Sequence, residues 1–147
     1  MIKEHIETQE MFYNAIVKFV ENHRVFLRSS EFKEITECYS ETVRKKEYQT
    51  IRLMLPRRVG NTFIALKLLK KYRNSVLVCL NNGYFQKNEK RISVSLSKQI
   101  FSLASIKYNK TCKIVILDES TCFSEKQIEK IYCNFEKEAI FILLGCN

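Results

Sequence analysis

Three short apolar runs constrain this fold more than anything else in the chain: residues 75–80 (SVLVCL), 113–117 (KIVIL) and 139–144 (AIFILL). Each is too short for a stable helix, is apolar almost throughout, and ends in polar or small residues. Such runs are the mark of strands buried on both faces, as in parallel sheets covered by helices. A fourth strand is expected just before them. Ile51, Leu53 and Leu55 alternate with Arg52 and Met54, and the run stops at Pro56.

Helical patterns fill the intervals. Residues 61–72 place Phe63, Ile64, Leu66, Leu68 and Leu69 on an apolar side, with Lys67, Lys70 and Lys71 near the end, where cations suit the helix dipole. Residues 124–135 read as another helix, Asn81-Asn82-Gly83 as a turn, and residues 91–106 as a strand followed by a helix. Strands alternating with helices predict an α/β protein with a mostly parallel sheet flanked by helices. Only three glycines and one proline argue against a hairpin-rich β-sandwich.

The N-terminal part reads differently. Residues 9–27 carry Phe12, Ile16, Phe19, Val20 and Val25 near helical spacing, opposite Lys18, Glu21 and Asn22. A second helix over residues 30–39 would start with Ser30 as N-cap and turn Phe32 and Ile35 inward. The run Arg44-Lys45-Lys46-Glu47 reads as a solvated junction. The organisation expected is a helical segment over residues 1–43 before a core over residues 44–147.

Charge separates the same regions. Residues 44–113 carry seventeen Lys/Arg against two acidic residues, a net of +15, while the segments on either side are each net −3. A block this basic suggests a phosphate-rich partner; its alternative is a solvated face chosen for solubility. No apolar run approaches the ~20 residues of a membrane span, and the start, MIKEHIETQE, lacks the basic and apolar regions of a signal peptide. A soluble, intracellular protein with no membrane partner is expected. The six cysteines contain no C-x-x-C pair, so a zinc site is not indicated. Cys79 and Cys146 read as small core residues, and all six would be free thiols in a reducing compartment.

Two motifs carry chemistry. Leu55-Pro56-Arg57-Arg58-Val59-Gly60-Asn61-Thr62 lies between a strand and a helix, where backbone N–H groups at a helix start can cradle phosphates. Against G-x-x-x-x-G-K-[ST], Gly60 and Thr62 match, Leu55 stands for the first Gly and Asn61 for the Lys. The second is Ile114-Val115-Ile116-Leu117-Asp118-Glu119, an apolar strand ending in two carboxylates. In a Walker B arrangement Asp118 holds Mg²⁺ and Glu119 polarises the attacking water; in the alternative the two cap the following turn. A strand lies between the two motifs in the chain, which resembles a family of ATPases that insert one there; that resemblance implies that Asn147, at the tip of the last strand, senses the γ-phosphate.

Pro56 to Phe63 resembles the P-R-R-x-G-K-T stretch of the terminase large subunits of herpesviruses and tailed phages, the ATPases that package viral DNA. Those loops commonly lack the first Gly, and their Walker B strand also ends in Asp-Glu. The resemblance covers about residues 48–147 and extends in part to helicase-like ATPases. It implies ATP and Mg²⁺ as cofactors, with Arg57, Arg58, Val59, Gly60, Asn61, Thr62 and Asp118 around the nucleotide. Thr62 and Asp118 would hold the metal, with Glu119 and Arg58 as catalytic groups. Arg57 or Arg58 would supply the cation that Asn61 does not, and Gln9 or Gln49 would contact the adenine. The family continues into another ATPase strand and a nuclease domain, so this length of chain is not expected to be a whole packaging motor. Lys67, Lys70, Lys71 and Arg73 are the expected nucleic-acid contacts. The alternative is a non-catalytic derivative that binds nucleic acid or a motor subunit through its basic block.

Overall fold

The computed structural model describes residues 2–56, 59–80, 98–107, 109 and 111–146. The elements run α1 (Ile2–Leu27), α2 (Ser30–Cys38), α3 (Glu41–Tyr48), β1 (Thr50–Leu55), α4 (Asn61–Lys71), β2 (Ser75–Cys79) and β3 (Ile100–Ser102). They continue with β4 (Ile114–Asp118), a helix labelled here α5 (Glu125–Cys133) and β5 (Ile140–Cys146). The sheet is parallel throughout, in the order β1-β5-β4-β2-β3. The last strand thus lies between β1 and β4, pairing Leu55 with Cys146 on one side and Asp118 with Leu144 on the other.

Strand alternation sends neighbouring residues into two separate apolar layers. Ile114, Ile116, Ile140 and Ile142 join Ile64, Leu68 and Leu69 of α4 and Ile16 and Val20 of α1. Val115, Leu117, Phe141 and Leu143 face the other way, against Ile131 and Tyr132 of α5 and Phe135 beyond it. Burying each such aliphatic side chain contributes about 1.5–3 kcal/mol. The N-terminal helix is therefore part of the same core as the sheet.

Some expectations shift. β5 reaches Cys146, and β3 covers only three residues, followed by a single 3₁₀ turn at Leu103–Ser105; residues 91–97 and the expected turn at 81–83 lie outside the described residues. α1 begins at Ile2, seven residues before the apolar periodicity starts, and Thr8 Oγ1 donates to the Glu4 carbonyl at 2.8 Å. Phe19 and Val25 are exposed, because Ile16 and Val20 occupy the inward side of α1. Ser29, rather than Ser30, caps α2, its hydroxyl accepting from the Phe32 N–H.

The largest correction concerns the expected solvated junction at residues 44–47. It is helical, and Lys45 is only 1% exposed. Its ammonium donates to the carbonyls of Tyr132 at 2.6 Å and Phe135 at 2.7 Å and pairs with Glu41 at 3.0 Å. Carbonyls at a helix C-terminus lack partners within the helix, so a cation threaded beneath them satisfies both hydrogen bonds and dipole. Lys45 fastens α3 to the end of α5. Cys79 and Cys112 are buried, and burial pushes both thiols up to about 11; the Cys146 side chain lies outside the described ones.

Candidate functional site

At the carboxyl end of the sheet, β1, β5 and β4 finish side by side beneath the start of α4. Gly60 is the residue before that helix, with φ 94° and ψ 53°, a left-handed conformation that glycine adopts without strain. A Cβ there would also overlap the side-chain amide nitrogen of Gln9, which α1 brings against the loop. Gly60 has a positive φ and no side-chain cap follows it, whereas Ser29, Ser40 and Ser124 cap α2, α3 and α5. The first turn of α4 contains no acidic residue either. Among the described residues, its positive end is therefore not neutralised by a side chain of its own first turn or cap.

Beneath that helix end, Thr62 Oγ1 donates to Asp118 Oδ2 at 2.6 Å, joining the two sequence motifs across 56 positions. Asp118 is only 8% exposed, and its Oδ1 is buried with no partner among the described residues. Burial pushes its carboxyl above the usual carboxylate range; the Thr62 hydrogen bond opposes this, the Glu119 charge adds to it, and the Glu119 N–H opposes it. A buried carboxylate with one oxygen unsatisfied suits a cation, and Mg²⁺ sites often use one or two carboxylates with water and phosphate completing the shell. Among the described residues no three His, Cys, Asp or Glu side chains converge as a metal cage.

Glu119 turns the chain sharply out of β4. Its φ of 52° and ψ of 50° are left-handed, the only positive φ outside glycine among the described residues. The exposed side chain makes no cap hydrogen bond to the 3₁₀ turn Ser120–Cys122 that follows. With Asp118 bonded to Thr62, the alternative in which both carboxylates cap that turn does not hold. A non-glycine residue in this region costs on the order of 1–3 kcal/mol, and such strain clusters at functional sites.

The structure also redistributes several expected roles. Asn61 Nδ2 donates to the Gly145 carbonyl at 3.1 Å, tying α4 to the tip of β5, so the amide is committed within the protein. Its Oδ1 is buried without a partner among the described residues. Val59 is buried in the core. Gln49 is fully buried at the opposite end of β1, donating to the carbonyls of Lys137 at 2.9 Å and Ala139 at 2.8 Å. It is a structural residue, and of the two glutamines Gln9 alone adjoins the loop. Arg57, Arg58 and Asn147 lie outside the described residues.

The expected nucleic-acid contacts are elsewhere. Lys70, Lys71 and Arg73 are exposed at or just past the C-terminal end of α4, about 15 Å from its start at 1.5 Å per residue. Lys67 is turned onto α1, its ammonium 4.2 Å from the centre of the Tyr13 ring, which takes it out of that group. The role of Gln9 beside Gly60 was only one of two options in the sequence, because nothing local distinguishes it from Gln49.

No helix among the described residues is long and apolar enough to cross a membrane. Comparisons with protein-family models, curated proteins and solved structures found no match.

Proposed function

We propose that this chain binds a magnesium–nucleotide complex, ATP in the first instance, at the carboxyl ends of β1 and β4, as a terminase- or helicase-like domain that acts on nucleic acid. One observation carries the reading: the 2.6 Å hydrogen bond from Thr62 to a buried Asp118 with an unpartnered oxygen, directly below an uncapped helix start. In this reading Thr62 and Asp118 hold the metal, and the N–H groups after Gly60 receive phosphate oxygens. Glu119 stands next to Asp118 in solvent, where it can accept a proton from water. Arg57 or Arg58 supplies the cation that Asn61 lacks.

The bonding of Asn61 favours a second reading, a non-catalytic derivative. Its amide brings no charge, and one of its two N–H donors is already used by Gly145. Losing one preorganised electrostatic donor costs about 2.7–4 kcal/mol of transition-state stabilisation, so hydrolysis in viral DNA packaging would be slow or absent. Calorimetric titration with ATP, with and without Mg²⁺, tests the shared premise. Magnesium-dependent binding by the wild type that is lost in Asp118→Ala supports it; equal binding by both proteins overturns it. Phosphate release under saturating ATP then separates the two readings.

A further inference from the structure

The opposite end of the sheet presents a different surface. Two adjoining cavities of about 240 and 310 Å³ open there, and Arg24 and Lys113 line both. Lys71 and Arg73 also line the first, and Arg28 lines the second together with the carboxylates Glu136 and Glu138. These five cations come from separate places in the sequence: the end of α1, the last residue of α4 with the turn after it, and the start of β4. Only the parallel topology, which gathers strand starts at one edge, makes them neighbours.

Their placement is supported by contacts. The Arg24 guanidinium lies 5.1 Å and the Lys71 ammonium 5.8 Å from the centre of the Tyr72 ring, so one buried aromatic holds cations from two helices. Carboxylates compete for two of the five: Glu21 pairs with Arg24 at 3.1 Å, and Glu136 with Lys113 at 2.9 Å. Arg28, Lys71 and Arg73 form no ion pair among the described residues.

We propose that this edge is a binding groove for the backbone phosphates of nucleic acid. The five cations surround two cavities that share Arg24 and Lys113, which suits a polymer of repeated charge. None of the large exposed hydrophobic side chains lines either cavity, whereas protein-binding surfaces centre on apolar and aromatic anchors. Three of the five are arginines, whose planar fork matches phosphate oxygens. The groove does not depend on nucleotide binding at the other end, and it joins Lys71 and Arg73 of the basic helix end expected from sequence to cations from the end of α1 and the start of β4.

The test is fluorescence anisotropy with a labelled single-stranded oligonucleotide between about 50 and 200 mM salt. Five phosphate contacts give a log–log salt slope of about −3.5, and the exposed pair Lys71→Glu/Arg73→Glu reduces it to about −2.1. Lys126→Glu/Lys130→Glu on α5 makes the same change in net charge away from the groove, and it retains the wild-type slope. Asp118→Asn retains oligonucleotide binding, so failure of the nucleotide site and failure of the groove are distinguishable. The proposal is overturned by an unchanged slope in the first double variant, by equal weakening in the α5 pair, or by no binding at the low-salt end. Displacement by inorganic phosphate beyond its ionic-strength effect also overturns it, because the site would then hold a single phosphate.

Discussion

Replacing Gly60 with alanine perturbs the loop at its tightest point and involves two separable costs. The first is the backbone: at φ 94° a Cβ crowds the neighbouring carbonyl, and one L-residue held there costs about 1–2 kcal/mol. The second is the contact with α1, where the new methyl would overlap the Gln9 amide nitrogen and lie 3.3 Å from Gln9 Cδ. That neighbour is the free end of a flexible side chain, so it swings aside at about 0.5–1.5 kcal/mol. The backbone therefore dominates, and the total is about 1.5–3.5 kcal/mol. Urea unfolding followed by circular dichroism reads this as a lower midpoint at unchanged slope. In a Gln9→Ala background only the backbone cost remains, so the same substitution costs about 1–2 kcal/mol. A loss below about 0.5 kcal/mol, the range of ordinary surface changes, refutes the left-handed turn. An equal loss in both backgrounds refutes the apposition of α1 and the loop.

Lys45→Met strands two buried carbonyls at the end of α5 and is expected to cost about 3 kcal/mol, on the order of 10 °C in Tm by thermal denaturation. Asn61→Lys removes the bond to Gly145, lowering stability by about 1 kcal/mol, while adding the missing cation; calorimetry is expected to show tighter ATP binding. Asp118 titrates above its usual range in the fold, so its favourable contribution is complete below the unfolded pKa and is lost as pH rises through the folded one. The Tm of the metal-free protein therefore declines across that window, and Asp118→Asn flattens the decline; parallel pH profiles for the two proteins would refute the assignment.

The sheet was legible because its determinants are local. Runs such as KIVIL and AIFILL are apolar at successive positions, and only a strand covered on both faces buries such a run. Both chemical motifs were legible for a related reason: a strand ending in a turn, then polar residues, marks the carboxyl edge of a parallel sheet. Pairwise contacts were less accessible. The cap of α2 was expected at Ser30, and the hydrogen bond from Phe32 goes to its neighbour Ser29. Lys45 in a run of charges looks solvated until the end of α5, some 87 positions later, is seen to lack hydrogen-bond donors.

The sequence by itself determined the types of most elements, though not of α3 or of the segment after β3, together with the parallel character of the sheet and the two motifs, because periodicity and turn chemistry act over a few residues. Only the tertiary structure decided that Thr62 meets Asp118, that Asn61 is tied to Gly145, and that Gln9 rather than Gln49 adjoins the loop. It alone separated the basic residues near the end of α4 from the carboxylates of the opposite edge. These are contacts between residues tens of positions apart, selected by the order in which strands pack, and no local pattern encodes that order.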